Sequence, residues 1–530
     1  MNSLRTWIAL FTLTLSFVWR GPCAQAQSEK PAGESTQGAS ATASKAEVEE
    51  LRKELAGQRR TIERLQTLVE QLADIKSRAP APATDGAHLV NASLALPATV
   101  AEVEVEALPE PYQKPPEKKD SALPVTAGWN GEHFFIKSAD GAFQIQPYGY
   151  VQTDYRSYKG DGAPADTFSV RRGRFGFQGN YGSHFQFGLL FDAATSAATI
   201  RDIYLNAKYN DAFQIQAGQF KEPFAQEEVA GVTNIDFVER GLQSLLYPSA
   251  SSAFRSPGVV IHGDIKGGAF QYWAGAFNGR GFAANNTTSI PETVGRVRFY
   301  PWRGKKDSRL QGFAFGGSIA YSQSRGLSSE LTPSTTQPDF AYTFFPQFRT
   351  NGNVWRYEGE FTYLKGRWGF RDEYVQAFFD RTAVGTLTLG GLGFGNLPTV
   401  RFKAWNSSAT YLITGEKRPE NGTPRVKHAF LGPESPGGGG KGWGAWEVAF
   451  RYSGIQGKEP GIFFNNVFTP QNVPAFDFHT DEFTFGLNWY PNYWVRFQSN
   501  LSYDRLKQPS TIGAVPQNYY VWEQRLQYRF

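Results

Sequence analysis

The 530-residue chain has almost no cysteine and almost no methionine, with one of each, Cys23 and Met1. Met1 is the initiator, and Cys23 lies in a segment expected to be removed. No disulfide framework is therefore expected to support the fold. Long apolar runs are equally scarce. The only one is N-terminal, Trp7 to Trp19, and mean hydropathy is −0.43. That excludes a polytopic helical membrane protein, in which each span needs about 20 consecutive apolar residues. Charge of one sign is also lacking: the net charge of +5 is spread along the chain and gives no nucleic-acid footprint. The six histidines stand singly, at 88, 133, 184, 262, 428 and 479, without metal-ligand spacing. No nucleophile elbow, P-loop or His-Glu-x-x-His occurs, so no catalytic residue, metal or cofactor is expected.

Aromatic residues, by contrast, reach 15%, from 43 Phe, 24 Tyr and 13 Trp, beside 55 Gly. A polar average with so many strand-forming aromatics suits a sheet whose two faces meet different solvents.

The N-terminus reads as a series of accessory segments. Arg5, the short apolar run and Ala24-Gln25-Ala26 make residues 1–26 a secretory signal peptide. A transmembrane anchor is the alternative, but 13 residues is too short a run. Arg20-Gly21-Pro22 before Cys23 argues against a lipoprotein. Residues 27–44 are a flexible segment. Over 45–78, Val48, Leu55, Ile62 and Val69 share one heptad position, and Leu51, Gln58, Leu65 and Leu72 the other. That pattern predicts a self-associating coiled-coil helix, a lone amphipathic helix being the alternative. Residues 79–128 form a Pro-rich linker, and a β-barrel occupies 129–530.

From Phe143 onward the period is two. Phe185, Phe187, Leu189 and Phe191 alternate with Gln186, Gly188 and Asp192. Trp446, Val448, Phe450 and Tyr452 alternate with Glu447, Ala449, Arg451 and Ser453. Strands of about ten residues with one apolar and one polar face suit a transmembrane barrel with a wet lumen. We count sixteen antiparallel strands from Phe143 to Phe530, with tight turns alternating with long polar loops. An even count leaves both termini, and the coiled-coil arm, in the periplasm. The exception is 415–442, a long segment where a tight turn is due; either the count slips there or the turn is truly long. Trp522, Leu526, Tyr528 and Phe530 share the apolar face of the last strand and resemble the terminal signal read by the barrel assembly machinery.

Parity places basic residues inward. Arg172, Arg174, Lys208, Arg296 and Arg298 all oppose apolar neighbours, and facing lipid at mid-membrane would cost roughly 2–4 kcal/mol each. Inward Arg and Lys select anions through charge-assisted hydrogen bonds. Asp202, Glu358, Glu360, Asp504 and Glu523 also face inward, so a merely polar lumen is the alternative. The loop 222–254 mixes apolar and charged residues. It either folds into the barrel, making Lys221, Arg240 and Arg255 candidates for a constriction, or stays outside.

Several strings carry a resemblance: FSVRRGRFGFQG at 168–179, GQFKEPF at 218–224, Phe237-Val238-Glu239-Arg240, Tyr411-Leu412-Ile413-Thr414-Gly415-Glu416 and Gly444-Ala445-Trp446-Glu447. Together they are similar to the phosphate-selective porin O and P family. The resemblance implies a sixteen-stranded, usually trimeric channel with an inward third loop, passing phosphate or polyphosphate along basic residues. Arg172, Arg174, Lys221 and Arg240 occupy matching basic positions. It also implies that 415–442 is a truly long turn.

The expected function is a water-filled outer-membrane porin for passive diffusion of small anions, phosphate first. The alternatives are a general or other-solute porin, and a structural envelope protein tethering the outer membrane. Expected partners are outer-membrane lipid, two further copies in a homotrimer, the assembly machinery, and the cell wall through 45–78.

Overall fold

The computed structural model describes residues 125–131, 133–160, 163–194, 198–305, 307–329, 349–382, 397–431, 440–459, 476–507 and 518–530. The signal peptide, flexible segment, coiled coil and nearly all of the linker lie outside the described residues. Sixteen strands close into one antiparallel barrel. They are β3 (Phe143–Lys159), β4 (Thr167–Tyr181), β5 (Phe185–Asp192), β6 (Thr199–Asn210), β7 (Phe213–Lys221), β8 (Arg255–Ile265), β9 (Phe270–Phe277), β10 (Glu292–Phe299), β11 (Phe313–Ser329), β12 (Arg349–Lys365), β13 (Trp368–Arg381), β14 (Leu397–Leu412), β15 (Ala445–Glu459), β16 (Phe476–Tyr490), β17 (Val495–Lys507) and β18 (Asn518–Arg529). Each pairs with its sequence neighbours, and β18 closes on β3 from Tyr520↔Lys159 to Arg529↔Tyr150. Before them a hairpin of β1 (Val125–Trp129) and β2 (Phe134–Ser138) extends the sheet, β2 pairing with the start of β3. The folded part thus begins slightly before the expected boundary at 129.

The side-chain period of two explains the wall. On β18, Tyr520, Trp522, Leu526 and Tyr528 are exposed, while Tyr519, Val521, Glu523, Arg525 and Gln527 are buried. Outside, aromatic rings make cross-strand stacks: Tyr452–Phe483–Tyr503–Tyr520 runs across β15 to β18 with centroids 4.9, 6.5 and 4.9 Å apart. The seam is fastened at its end. The Phe530 amide donates to the Gly149 carbonyl at 3.0 Å, and the Gly149 amide donates back at 3.1 Å. A Cβ at Gly149 would lie 2.5 Å from both the Phe530 ring and the Arg174 carbonyl, so only glycine admits that approach.

The tight turns at 180–183, 210–211, 267–268, 364–367 and 491–492 fall between strands as expected. The 415–442 segment is a long turn and not a miscount: β14 and β15 pair directly on either side of it, from Leu412↔Glu447 to Arg401↔Lys458.

Candidate functional site

The lumen is divided by the segment between β7 and β8. It runs inward, with a helical turn α1 (Gln226–Val229) and two 3-10 turns, Leu242–Leu246 and Ala250–Ser252. Phe224, Leu242, Leu246 and Tyr247 are buried. They belong to one apolar cluster with Val354, Val375, Ala377, Phe379, Val400, Phe402 and Ala404 of β12, β13 and β14. Those wall residues point into the lumen, where apolar side chains would meet water if the loop did not cover them. The docking therefore has a hydrophobic cause, at roughly 1.5–3 kcal/mol for each large side chain buried. Hydrogen bonds fix its register: the Leu242 amide donates to Ser453 Oγ at 2.7 Å, and the Glu227 amide to Glu373 Oε1 at 2.7 Å.

Two loop carboxylates tie it to the remaining wall. Glu239 Oε1 lies 3.3 Å from Arg156 Nη2 on β3, 3.0 Å from Arg171 Nε on β4 and 2.8 Å from Arg525 Nη2 on β18; its Oε2 lies 3.1 Å from Arg172 Nη2. Burial alone would raise this carboxyl, but the guanidinium groups of Arg172, Arg171, Arg525 and Arg156 hold it well below the usual range. Asp236 pairs with Arg371 of β13 and with Arg418, which the long 413–444 turn brings into the lumen. Burial is again overcome by Arg371 and Arg418, and Asp236 too is lowered. At the loop's start the balance reverses. Glu222 and Glu228 are fully buried, and desolvation pushes both well above the ordinary value, with Glu292 adding repulsion at Glu222.

Each basic residue picked from sequence has a definite place. Arg172 is buried between Gln152 Oε1 (2.8 Å) and Glu239. Arg174 spans Asp192 Oδ2 (2.8 Å) and the Tyr150 hydroxyl (2.7 Å). Arg255 grips Asp202 with two bonds of 2.7 and 2.9 Å. Arg296 and Arg298 both reach Glu360 across β11, at 2.8 and 3.2 Å. Gly316 lies between; a Cβ there would be 3.0 Å from Glu360 Oε1. Lys221 donates to the carbonyls of Glu228 and Ala230 at 2.7 and 2.6 Å. Arg240 turns back onto its own loop, donating to the carbonyls of Glu227 and Ala230 at 2.9 and 2.8 Å. Lys208 lies near the end of β6, partly exposed, 2.7 Å from Asp211 in the turn that follows. Only Arg174, Lys221 and Arg255 line the same open cavity, of about 660 Å³, together with Asp202, Tyr148, Tyr204 and Trp273. The exposed Trp522, Leu526 and Tyr528 lie on the outer face, while Phe530, at the end of the last strand, also borders this cavity.

Among the arginines the sequence reading did not name, which include Arg156, Arg371, Arg418 and Arg525, two escaped parity for one reason. At Gln152/Thr153 and at Leu190/Phe191 the register slips, leaving Arg171 and Arg201 without partners in the ladder. Each such β-bulge lets neighbouring residues turn the same way. Arg171 thereby joins Arg172 on Glu239, and Arg201 reaches Asp192 at 3.1 Å. Glu239, the hub, had stood out in sequence only as the neighbour of Arg240.

The model of the family described as phosphate-selective porin O and P matches residues 145–530. Among solved structures the chain is similar to OmpT, an outer membrane protein of Vibrio cholerae, at 12% identity and TM-score 0.46, covering 73% of this chain and 98% of that one. It is also similar to the outer membrane channel DcaP of Acinetobacter baumannii, at 13% identity and TM-score 0.44, covering 74% and 99%. A further likeness is to OprB of Pseudomonas putida, at 12% identity and TM-score 0.40, covering 74% and 95%. No curated protein matches significantly in sequence. With a closed sixteen-strand barrel and a family match over nearly the whole of it, this chain belongs to the phosphate-selective porin O and P family and is an outer-membrane porin.

Proposed function

We propose that the channel passes small anions by passive diffusion, without catalysis or a cofactor, and that phosphate or polyphosphate is the first candidate solute. The observation carrying the anion reading is the open cavity lined by Arg174, Lys221 and Arg255. Lys221 gives its hydrogen bonds to backbone carbonyls, so its charge is not spent in an ion pair among the described residues. A cation in a narrow, partly desolvated passage attracts an anion and replaces part of its hydration. The lumen's arginines are compensated, Arg174 by Asp192 and Arg255 by Asp202 included, since buried arginines and buried carboxylates occur in similar number. The selectivity is therefore local to this side of the loop. Phosphate itself is suggested by the family description.

The test is the reversal potential in planar bilayers under a KCl gradient, then block of chloride current by phosphate. An anion-selective reversal with phosphate block supports the reading. A cation-selective reversal sinks it, and an anion-selective reversal without block reduces it to a general anion porin. We further propose a homotrimer, a cleaved leader at 1–26 and a periplasmic arm whose 45–78 heptads reach the cell wall. Deleting 27–128 tests the arm: envelope attachment should fall while conductance survives. Unchanged attachment would contradict it.

A further inference from the structure

Three carboxylates meet on the wall beneath the loop. Glu358 and Glu360 are two apart on β12 and so share its inner face, and Glu373 of β13 is the register partner of Glu360. All three are buried, and one oxygen from each lies within 4.8 Å of the others. Like charges directly across an antiparallel pair repel, so something must balance them. Two of the three are accounted for. Glu360 takes two bonds of 2.8 Å from Arg296. Glu373 accepts from the Glu227 amide, Gln243 and the Tyr247 hydroxyl. Glu358 has neither: it is 7% exposed, and neither buried oxygen has a hydrogen-bond partner among the described residues.

A buried carboxylate aimed at two others is an incomplete set of hard oxygen donors. We propose that Glu358, Glu360 and Glu373 bind a calcium ion that lies against the base of the inward loop. Ca–O bonds of about 2.3–2.6 Å let oxygens on opposite sides of one ion stand up to roughly 5.2 Å apart, so three oxygens that all lie within 4.8 Å of one another can share one calcium. Magnesium demands near-ideal octahedral geometry at about 2.0–2.1 Å and gives up its waters reluctantly, which suits an all-carboxylate wall site less well. Each carboxylate keeps lone pairs for an ion, since two oxygens offer about four acceptor sites. The remaining coordination positions would be taken by water, as is usual for this ion. Because Glu373 also holds Glu227, Gln243 and Tyr247, an ion here stiffens the loop's attachment whatever solute the channel passes.

The test uses the full-length porin purified in detergent, stripped with EDTA and titrated with calcium by calorimetry. The expected result is one saturable site per chain, weaker binding of magnesium, and Glu358→Gln weakening calcium by about tenfold or more. If that variant does not fold, Glu358→Asp keeps the charge and draws the oxygens back by one methylene; it too should bind more weakly. No saturable calcium uptake by the wild-type chain overturns the site. So does a folded Glu358 variant that binds as the wild type does, an outcome that leaves a shared proton as the way the three charges are balanced.

Discussion

The two sides of the lumen use their basic residues in opposite ways. Where Glu239 and Asp236 meet β3, β4, β13 and β18, each guanidinium is consumed in holding the loop: four converge on Glu239 and two on Asp236. On the β6–β8 side, the loop's carbonyls face Lys221, and Arg174 and Arg255 border open volume. Arginine is ion-paired on both sides, Arg174 with Asp192 and Arg255 with Asp202 on this one, and the basic group that meets carbonyls in place of a carboxylate is Lys221. The difference lies in whether a carboxylate has been brought to it, which is a matter of tertiary structure and not of parity.

The largest expected effect is on the anchoring side. Glu239→Gln strips four guanidinium groups of one counter-charge, and breaking a buried pair costs about 3–5 kcal/mol. The variant should unfold at lower temperature, and its single-channel conductance should rise or turn noisy as the loop loosens; conductance identical to wild type would show that the ion pairs do not hold it. Acid should act next, through the same group. Because Glu239 and Asp236 titrate below their unfolded values, the stability they contribute is present above about pH 4 and is lost as pH falls through their lowered values. Glu222 and Glu228 are raised, so their contribution is full below about pH 4.5 and declines as pH rises toward their folded values. Acid therefore releases the 236–239 stretch and tightens the 222–228 stretch. Hydrogen exchange at pH 3 against pH 7 should show protection moving from the first stretch to the second; a uniform change would contradict it.

Selectivity comes third in size. One charge about 7 Å from a passing ion in water is worth about 0.6 kcal/mol, favouring an anion and opposing a cation by the same amount, so Lys221→Gln should lower the anion-to-cation permeability ratio by roughly sevenfold. The smallest effect belongs to Lys208→Gln. Its pair with Asp211 is largely solvent-exposed and worth about 0–1 kcal/mol at most, so melting temperature and reversal potential should both stay at wild-type values. A shift in reversal potential there would extend the selective region to the mouth.

Most of the barrel was legible because a period of two in a wall between lipid and water leaves few alternatives. Phe485 and Leu487 could face only outward, and Glu482 and Thr484 only inward. Parity erred at Arg171 and Arg201, where a bulge shifts the period without any mark in composition. It was also silent on Val375, Ala377 and Phe379, whose apolar side chains share the inner face with Glu373. Their presence in a lumen makes sense only with the loop lying over them. The charge partners were the least legible part. Arg172 and Lys221 look alike in sequence, and nothing near either announces that Glu239, more than sixty residues from one of them, takes the charge of the first and leaves the second free.

The contrast between those two residues is the most direct test. The reversal potential under a KCl gradient should be anion-selective in the wild type, nearly unchanged in Arg172→Gln, and shifted toward cations in Lys221→Gln. An equal shift in both variants, or a shift in Arg172→Gln alone, would contradict the division of the lumen into an anchoring side and a conducting side.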